Sequence, residues 1–203
     1  MTNHKNCTNL IKKIILAAGS SRRYGKTNKL VQIFQDKPII RHVIDVLLEE
    51  NEPKDLLVVV GHEKSKIIDL INNPNIKIVN NIDYKRGIGT SISCAMRHIE
   101  DYIQGVMIIP ADMPFISKVD LQNLENKFIE LNSTKVVFPK YETSLGNPVI
   151  LPKSYFDILK NLNDDEGARS HIKNKDYVTV NAGIGTTLDI DTKEEFNKQN
   201  LSL

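Results

Sequence analysis

With 203 residues, 40% of them hydrophobic and 26% charged, the chain has the makings of one sizeable globular domain and is not a disordered polymer. A formal net charge of +2 gives no global field of the kind that marks a nucleic-acid binder, so any attraction for anions has to be local. Its two cysteines have no metal-ligand spacing and no apolar run nears the ~20 residues that span a bilayer, which excludes a disulfide scaffold and a membrane segment.

Residues 1–12 read as a flexible polar tail without the apolar core of a secretory leader, as expected of a cytoplasmic protein. Residues 14–18 begin a series of short runs rich in β-branched side chains; the others are 56–60, 76–79, 106–110, 135–138, 149–151 and 177–180. Several are apolar at successive positions, the pattern of strands buried on both faces of a mostly parallel sheet. Helical period appears between them. Residues 38–50 align Ile39, Val43, Val46 and Leu47, residues 91–102 align Ile92, Ala95, Met96 and Ile99, and residues 119–131 align Leu121, Leu124, Phe128 and Leu131. This alternation predicts a single α/β domain over 1–203, with the less regular stretch 140–175 as an acceptor-side flap.

Ligands of open α/β sheets bind beyond the carboxyl ends of the strands, so the loops that follow them should carry the chemistry. The first strand runs into Ala17-Ala18-Gly19-Ser20-Ser21, where Gly19 permits a sharp turn and small residues let main-chain N–H groups approach an anion. Arg22, Arg23, Lys26 and Lys29 then gather positive charge suited to a triphosphate, although a basic surface turn is the plainer alternative. Gly25-Lys26-Thr27 imitates the end of a Walker A loop, but one residue too many separates Gly19 from Gly25, which argues against a P-loop phosphotransferase.

The strand at 106–110 leads into Ala111-Asp112-Met113-Pro114, which places a carboxylate where Mg²⁺ would find one protein ligand beside phosphate oxygens. Asp112 as a turn or helix cap is the alternative. In Gly87-Ile88-Gly89-Thr90-Ser91, paired glycines allow close approach to a nucleoside, and Ser91 reads either as a base or ribose contact or, with Thr90, as a helix cap. Near the end, Asp189 and Asp191 fall on one side of an extended segment and offer a second metal ligand. Alternatively Asp191 or Thr192 caps a last helix from about Lys193, with Glu194 and Glu195 in its first turn.

Taken in order, Leu16-Ala17-Ala18-Gly19-x-Ser21-x-Arg23-x-Gly25 with Lys29-Leu30, Gly87-x-Gly89-x-Ser91, Asp112-x-Pro114, Gly146-Asn147-Pro148, Asp165-x-Gly167-Ala168-Arg169 and Asp189-Ile190-Asp191-Thr192 resemble the MobA-like nucleotidyltransferases. The branch most similar is that of the molybdenum cofactor cytidylyltransferases. The resemblance implies a three-layer αβα Rossmann-like fold, Mg²⁺, and transfer of a nucleoside monophosphate from an NTP to a phosphorylated acceptor. It implies that Gly19 and Ser21 bind phosphate through their backbone, that Arg23 and Lys29 neutralise the triphosphate, and that Asp112 holds Mg²⁺. Gly146, Asn147, Pro148, Gly167 and Arg169 would face the acceptor, a pterin-type phosphate whose recipient would be a molybdenum hydroxylase. Ala18 points to CTP, since the guanylyl branch usually has Gly there. Asp164, Asn147 and Lys193 depart from the residues usual in the branch. Another phosphorylated acceptor, such as a sugar phosphate, and a non-catalytic cofactor chaperone are the rival readings. Lys29, read as the head of a surface loop, is expected to be dispensable for folding and needed for activity.

Overall fold

The computed structural model describes residues 10–21, 24–25 and 27–201. β1 (Ile11–Ala17) is followed by a small antiparallel ribbon, β2 (Ile33–Phe34) and β3 (Lys37–Pro38), that delivers the chain to α1 (Ile39–Leu48). Next come β4 (Leu56–Val60), α2 (Lys64–Ile71), β5 (Lys77–Asn80), α3 (Ile88–Met96), β6 (Gly105–Pro110) and α4 (Lys118–Glu130). β7 (Val136–Tyr141), β8 (Ser144–Leu145), β9 (Val149–Pro152), α5 (Phe156–Lys160), β10 (Tyr177–Asn181) and α6 (Lys193–Leu201) complete the order.

The large sheet runs β10-β7-β9-β6-β1-β4-β5, with β8 attached to β7. β1 pairs in parallel with β4 and β6, and β9 is antiparallel to both of its neighbours, β6 and β7. Side-chain alternation along β1 divides the core in two. Ile11, Ile15 and Ala17 pack with α1 and α4, through residues such as Val43, Ile44, Leu124 and Phe128. Ile14 and Ala18 pack with Ile92 and Met96 of α3 and Leu159 of α5 on the other face. The result is the expected three-layer α/β fold with a mostly parallel sheet.

Several local expectations shift. β1 starts at Ile11, two residues inside the expected tail; residues 1–9 lie outside the described residues. β9 occupies an interior place in the sheet with all four residues buried, so the 140–175 stretch is anchored through its middle. α2, eight residues long, went unforeseen because only Ile67 and Ile71 are buried, too few to set a period. α3 runs 88–96 rather than 91–102, and Thr90 and Ser91 sit inside its first turn instead of capping it. The cause is Gly87, whose φ of 131° ends the preceding segment and starts the helix there. At the last helix Thr192 does cap: its Oγ1 accepts from Glu195 N–H, and Glu195 Oε2 accepts from the N–H groups of Asp191 and Thr192.

The chain leaves β1 for β4 and β5 on one side and then crosses to β6 on the other. The crevice therefore opens between the ends of β1 and β6, the place where strand order reverses.

Candidate active site

A cavity of about 480 Å³ fills that crevice. Its lining takes in the loop after β1, with Ala18, Gly19, Ser20 and Ser21, then Lys29, Asp112 and Asp191, and also Gly87, Ser91 and Asp165. A Cβ added at Gly19 would meet no atom within 4 Å, so this backbone faces open space fit for a ligand. Gly19 has no positive φ. The sharp turn expected there is made by Ser21 (φ 51°) and Gly25 (φ 122°) instead.

The Ser21 hydroxyl is taken up inside the loop. It accepts from Lys29 N–H (3.2 Å) and donates to Asn28 Oδ1 (3.4 Å), which in turn caps the short turn by accepting from Leu30 N–H (3.1 Å). Only main-chain groups of Ser21 are then left for an anion, as a phosphate cradle requires. The same bonds fix where Lys29 starts.

Lys29 is not on the surface, contrary to expectation; it is 9% exposed. Its Nζ lies 2.5 Å from Asp112 Oδ2 and 2.7 Å from Asp191 Oδ1. Burial works against its charge, but the two carboxylates outweigh that and hold its pKa above the usual lysine value. Asp112, Asp189 and Asp191 each offer a carboxylate oxygen within 4.8 Å of the others. Loss of hydration, followed by the charges of Asp112 and Asp191, pushes the Asp189 carboxyl up. A backbone bond assembles the group: Ile190 N–H donates to Asp112 O (3.1 Å).

The remaining candidates among the described residues fall outside the cavity lining. Ala17 is buried in the core, and Gly25 contributes its turn. Arg23 lies outside the described residues, as do Arg22 and Lys26. Gly146, Asn147 and Pro148 hold the C-terminal segment: Asn147 N–H donates to Thr186 O (2.8 Å), and a Cβ on Gly146 would come 2.2 Å from that oxygen. Arg169 binds Gly146 O through Nη2 (3.0 Å) and stacks over Phe138 with its Cζ 5.0 Å from the ring centroid. Gly167 rests near Ile88, where an added Cβ would find Ile88 Cγ2 at 3.6 Å.

Sequence reasoning missed the lining residues Tyr84, Lys85 and Arg86 as site members, though their cationic run stood directly before Gly87. It also left Asp165 without a role. Asp165 reaches the cavity because Gly89 N–H donates to Asp164 O (2.9 Å) and Gly87 lets the 164–165 backbone pack on the start of α3. A Cβ at Gly87 would sit 2.3 Å from Asp165 Cα. Gly87→Ala is therefore expected to cost roughly 1–3 kcal/mol in stability and to weaken nucleotide binding. Chemical denaturation and titration would check this; unchanged values for both would mean that this contact does not shape the site.

Over 176 residues, 84% of its length, the chain is 28% identical to the bifunctional protein GlmU of Carboxydothermus hydrogenoformans, covering 37% of that protein. It spans 25% to 37% of the length of the first curated relatives it matches. Rv0371c of Mycobacterium tuberculosis H37Rv, in complex with manganese, superimposes with a TM-score of 0.75 at 18% identity, over 95% of this chain and 99% of that one. The 4-diphosphocytidyl-2C-methyl-D-erythritol synthase of Anaerococcus prevotii does so with a TM-score of 0.71 at 14% identity, over 95% and 97%. At those identities the likeness is one of fold. Residues 13–180 match the MobA-like NTP transferase domain, and the chain belongs to that family.

Proposed function

We propose that the protein transfers CMP from CTP to the terminal phosphate of a molybdopterin-type cofactor with release of pyrophosphate, using Mg²⁺. The observation that carries a nucleotidyltransferase reading is the Lys29 ammonium, set between Asp112 and Asp191 in the lining of a cavity that the Gly19–Ser21 loop also lines. CTP is preferred because Ala18 stands at the position where the guanylyl branch usually has Gly.

The donor set suits a hard divalent cation: three carboxylates converge, and Asp112 Oδ1 is buried with no hydrogen-bond partner. Asp112, with Asp189 and Asp191, would hold the ion. A divalent ion bound there supplies Lewis acidity to phosphoryl oxygens. The manganese complex of Rv0371c supports such a site.

The protein's own part is positioning and charge. Main-chain N–H groups at Gly19, Ser20 and Ser21 orient the triphosphate. Lys29, joined by Arg23 in this reading, balances the charge that gathers on the leaving pyrophosphate. An acceptor phosphate oxygen forms its bond to the α-phosphorus as the bond from that phosphorus to the bridging oxygen breaks, and the electron pair leaves with pyrophosphate. The acceptor is already ionised at neutral pH, so no general base is needed. Gly146, Asn147, Pro148, Gly167 and Arg169 act on the acceptor side by holding the segments that border the site, and a molybdenum hydroxylase would receive the product.

A second reading, a sugar or polyol phosphate as acceptor, is favoured by Asp165, an exposed carboxylate at the cavity edge that suits hydroxyl donors. A pure carrier of the cofactor would have no use for three converging carboxylates.

Pyrophosphate release from CTP, GTP, ATP and UTP with Mg²⁺, with and without molybdenum-loaded molybdopterin, tests both readings. Release from CTP that requires molybdopterin is expected, with loss under chelation and recovery on adding Mg²⁺ or Mn²⁺. Release only with sugar or polyol phosphates moves the assignment to the second reading. Binding of no nucleotide at all would overturn both.

A further inference from the structure

We propose that Asn81 is a positioning residue that aims the Ser91 hydroxyl at the nucleotide base and so contributes to base selection; this rests on the nucleotide-binding reading above. Asn81 follows β5 and is 4% exposed. Its main-chain N–H donates to Val60 O at 2.8 Å, which fixes it to the end of β4. Its Oδ1 accepts from Asp83 N–H at 2.9 Å, so the orientation of the side-chain amide is set: the oxygen faces Asp83 and the NH₂ group faces α3.

The two hydrogens of that NH₂ group have separate destinations. Nδ2 donates to Thr90 Oγ1 at 2.9 Å and to Ser91 Oγ at 3.0 Å. Thr90 uses its own hydrogen within the segment, donating to Gly87 O at 2.8 Å, with Asp83 O at 3.2 Å as the alternative acceptor. Ser91 differs. Its oxygen accepts from Asn81, it lines the cavity, and among the described residues its hydroxyl donates no hydrogen bond. With a donor already on its oxygen, the hydroxyl directs its hydrogen away from Asn81, and the cavity is where an acceptor can come from.

Ser91 is thereby a hydrogen-bond donor to whatever fills this part of the cavity, and it favours a ligand atom with a lone pair. On the pairing edge of cytosine both O2 and N3 are such atoms, whereas uracil carries a hydrogen on N3. A donor held in one direction distinguishes bases; a hydroxyl free to rotate accepts either. Asn81 supplies that fixed direction without touching the ligand.

Asn81→Asp is the informative change, because it keeps the shape and replaces the NH₂ donor with an acceptor. Ser91 and Thr90 then donate to the carboxylate, and the Ser91 hydrogen turns away from the base. Dissociation constants of wild type, Asn81→Asp, Ser91→Ala and the double variant would be measured for CTP, UTP, GTP and ATP. The added negative charge weakens all four triphosphates alike, so the decisive quantity is the ratio between the preferred nucleotide and the others. The ratio is expected to fall about tenfold in Asn81→Asp, to fall about as far in Ser91→Ala, and to fall no further in the double variant. An unchanged ratio in Asn81→Asp, or losses that add in the double variant, overturns the proposal. Should Asn81→Asp fail to fold, Ser91→Ala decides alone: discrimination within twofold of wild type rules out the donor role that Asn81 is said to serve. Wild type that binds no triphosphate overturns the nucleotide reading itself, and this inference with it.

Discussion

Lys29→Met is expected to lower turnover by about 10²–10³-fold, the usual loss when one donor that stabilises developing charge is removed. The same variant is expected to bind Mn²⁺ more tightly than wild type when no nucleotide is present. Both follow from one position. The Lys29 ammonium sits between Asp112 and Asp191, so it is a tethered cation among the carboxylates that a divalent ion needs. Because those carboxylates hold its pKa up, it remains charged across the neutral range and would compete with the divalent ion proposed to bind there. Removing one unit charge this close to the ligands should improve Mn²⁺ affinity by about tenfold or more. Met keeps the buried stem filled, which matters because Lys29 packs inside the protein and truncation to Ala would also leave a void. Steady-state pyrophosphate release gives the first quantity and calorimetric Mn²⁺ titration gives the second. Near-normal turnover would remove Lys29 from the catalytic machinery. Weaker or equal Mn²⁺ binding would mean that lysine and metal do not share the carboxylates.

Glu125→Leu should cost roughly 3–5 kcal/mol of stability, as expected when a buried ion pair loses one member. Lys13, on β1, is fully buried, and its Nζ lies 3.3 Å from Glu125 Oε1 on α4, itself 6% exposed. Burial moves each partner towards its neutral form: the lysine pKa is lowered and the glutamate pKa raised, with each charge offsetting part of the other's penalty. Leu at 125 leaves the ammonium in the core beside an apolar side chain. Lys13→Met is expected to cost less, because a lone buried carboxyl can take a proton at a smaller departure from its usual pKa. The double variant Lys13→Met/Glu125→Leu should recover most of the loss, since two apolar side chains of similar size need no mutual charge. Urea denaturation of the three variants checks this. A double variant as unstable as Glu125→Leu would show that the pair is held by more than mutual neutralisation.

The order of strands and helices was largely legible because it rests on local pattern. Consecutive apolar residues marked β1, β4 and β6 as buried on both faces, and the stripe of Leu121, Leu124 and Phe128 marked α4. The direction of β9 was not, since an interior antiparallel strand depends on how the connection returns and its own residues are apolar either way. Gly87 was read as a place of close approach, and it is one, but what approaches it from within the chain is the backbone of Asp165.

By itself the sequence determined the residue types of the site: a small-residue loop after the first strand, a lysine beyond it, an aspartate after β6 and an acidic pair near the end. Short-range chemistry suffices for that, because a turn, a strand end and a charge run are properties of neighbouring residues. Only the tertiary structure decided that Lys29, Asp112 and Asp191 meet, that Lys13 finds Glu125, and that Asn81 holds Ser91. Those contacts depend on sheet register and on which strand ends share one edge. No local window of the chain encodes either, because both are set by the packing of all the layers together.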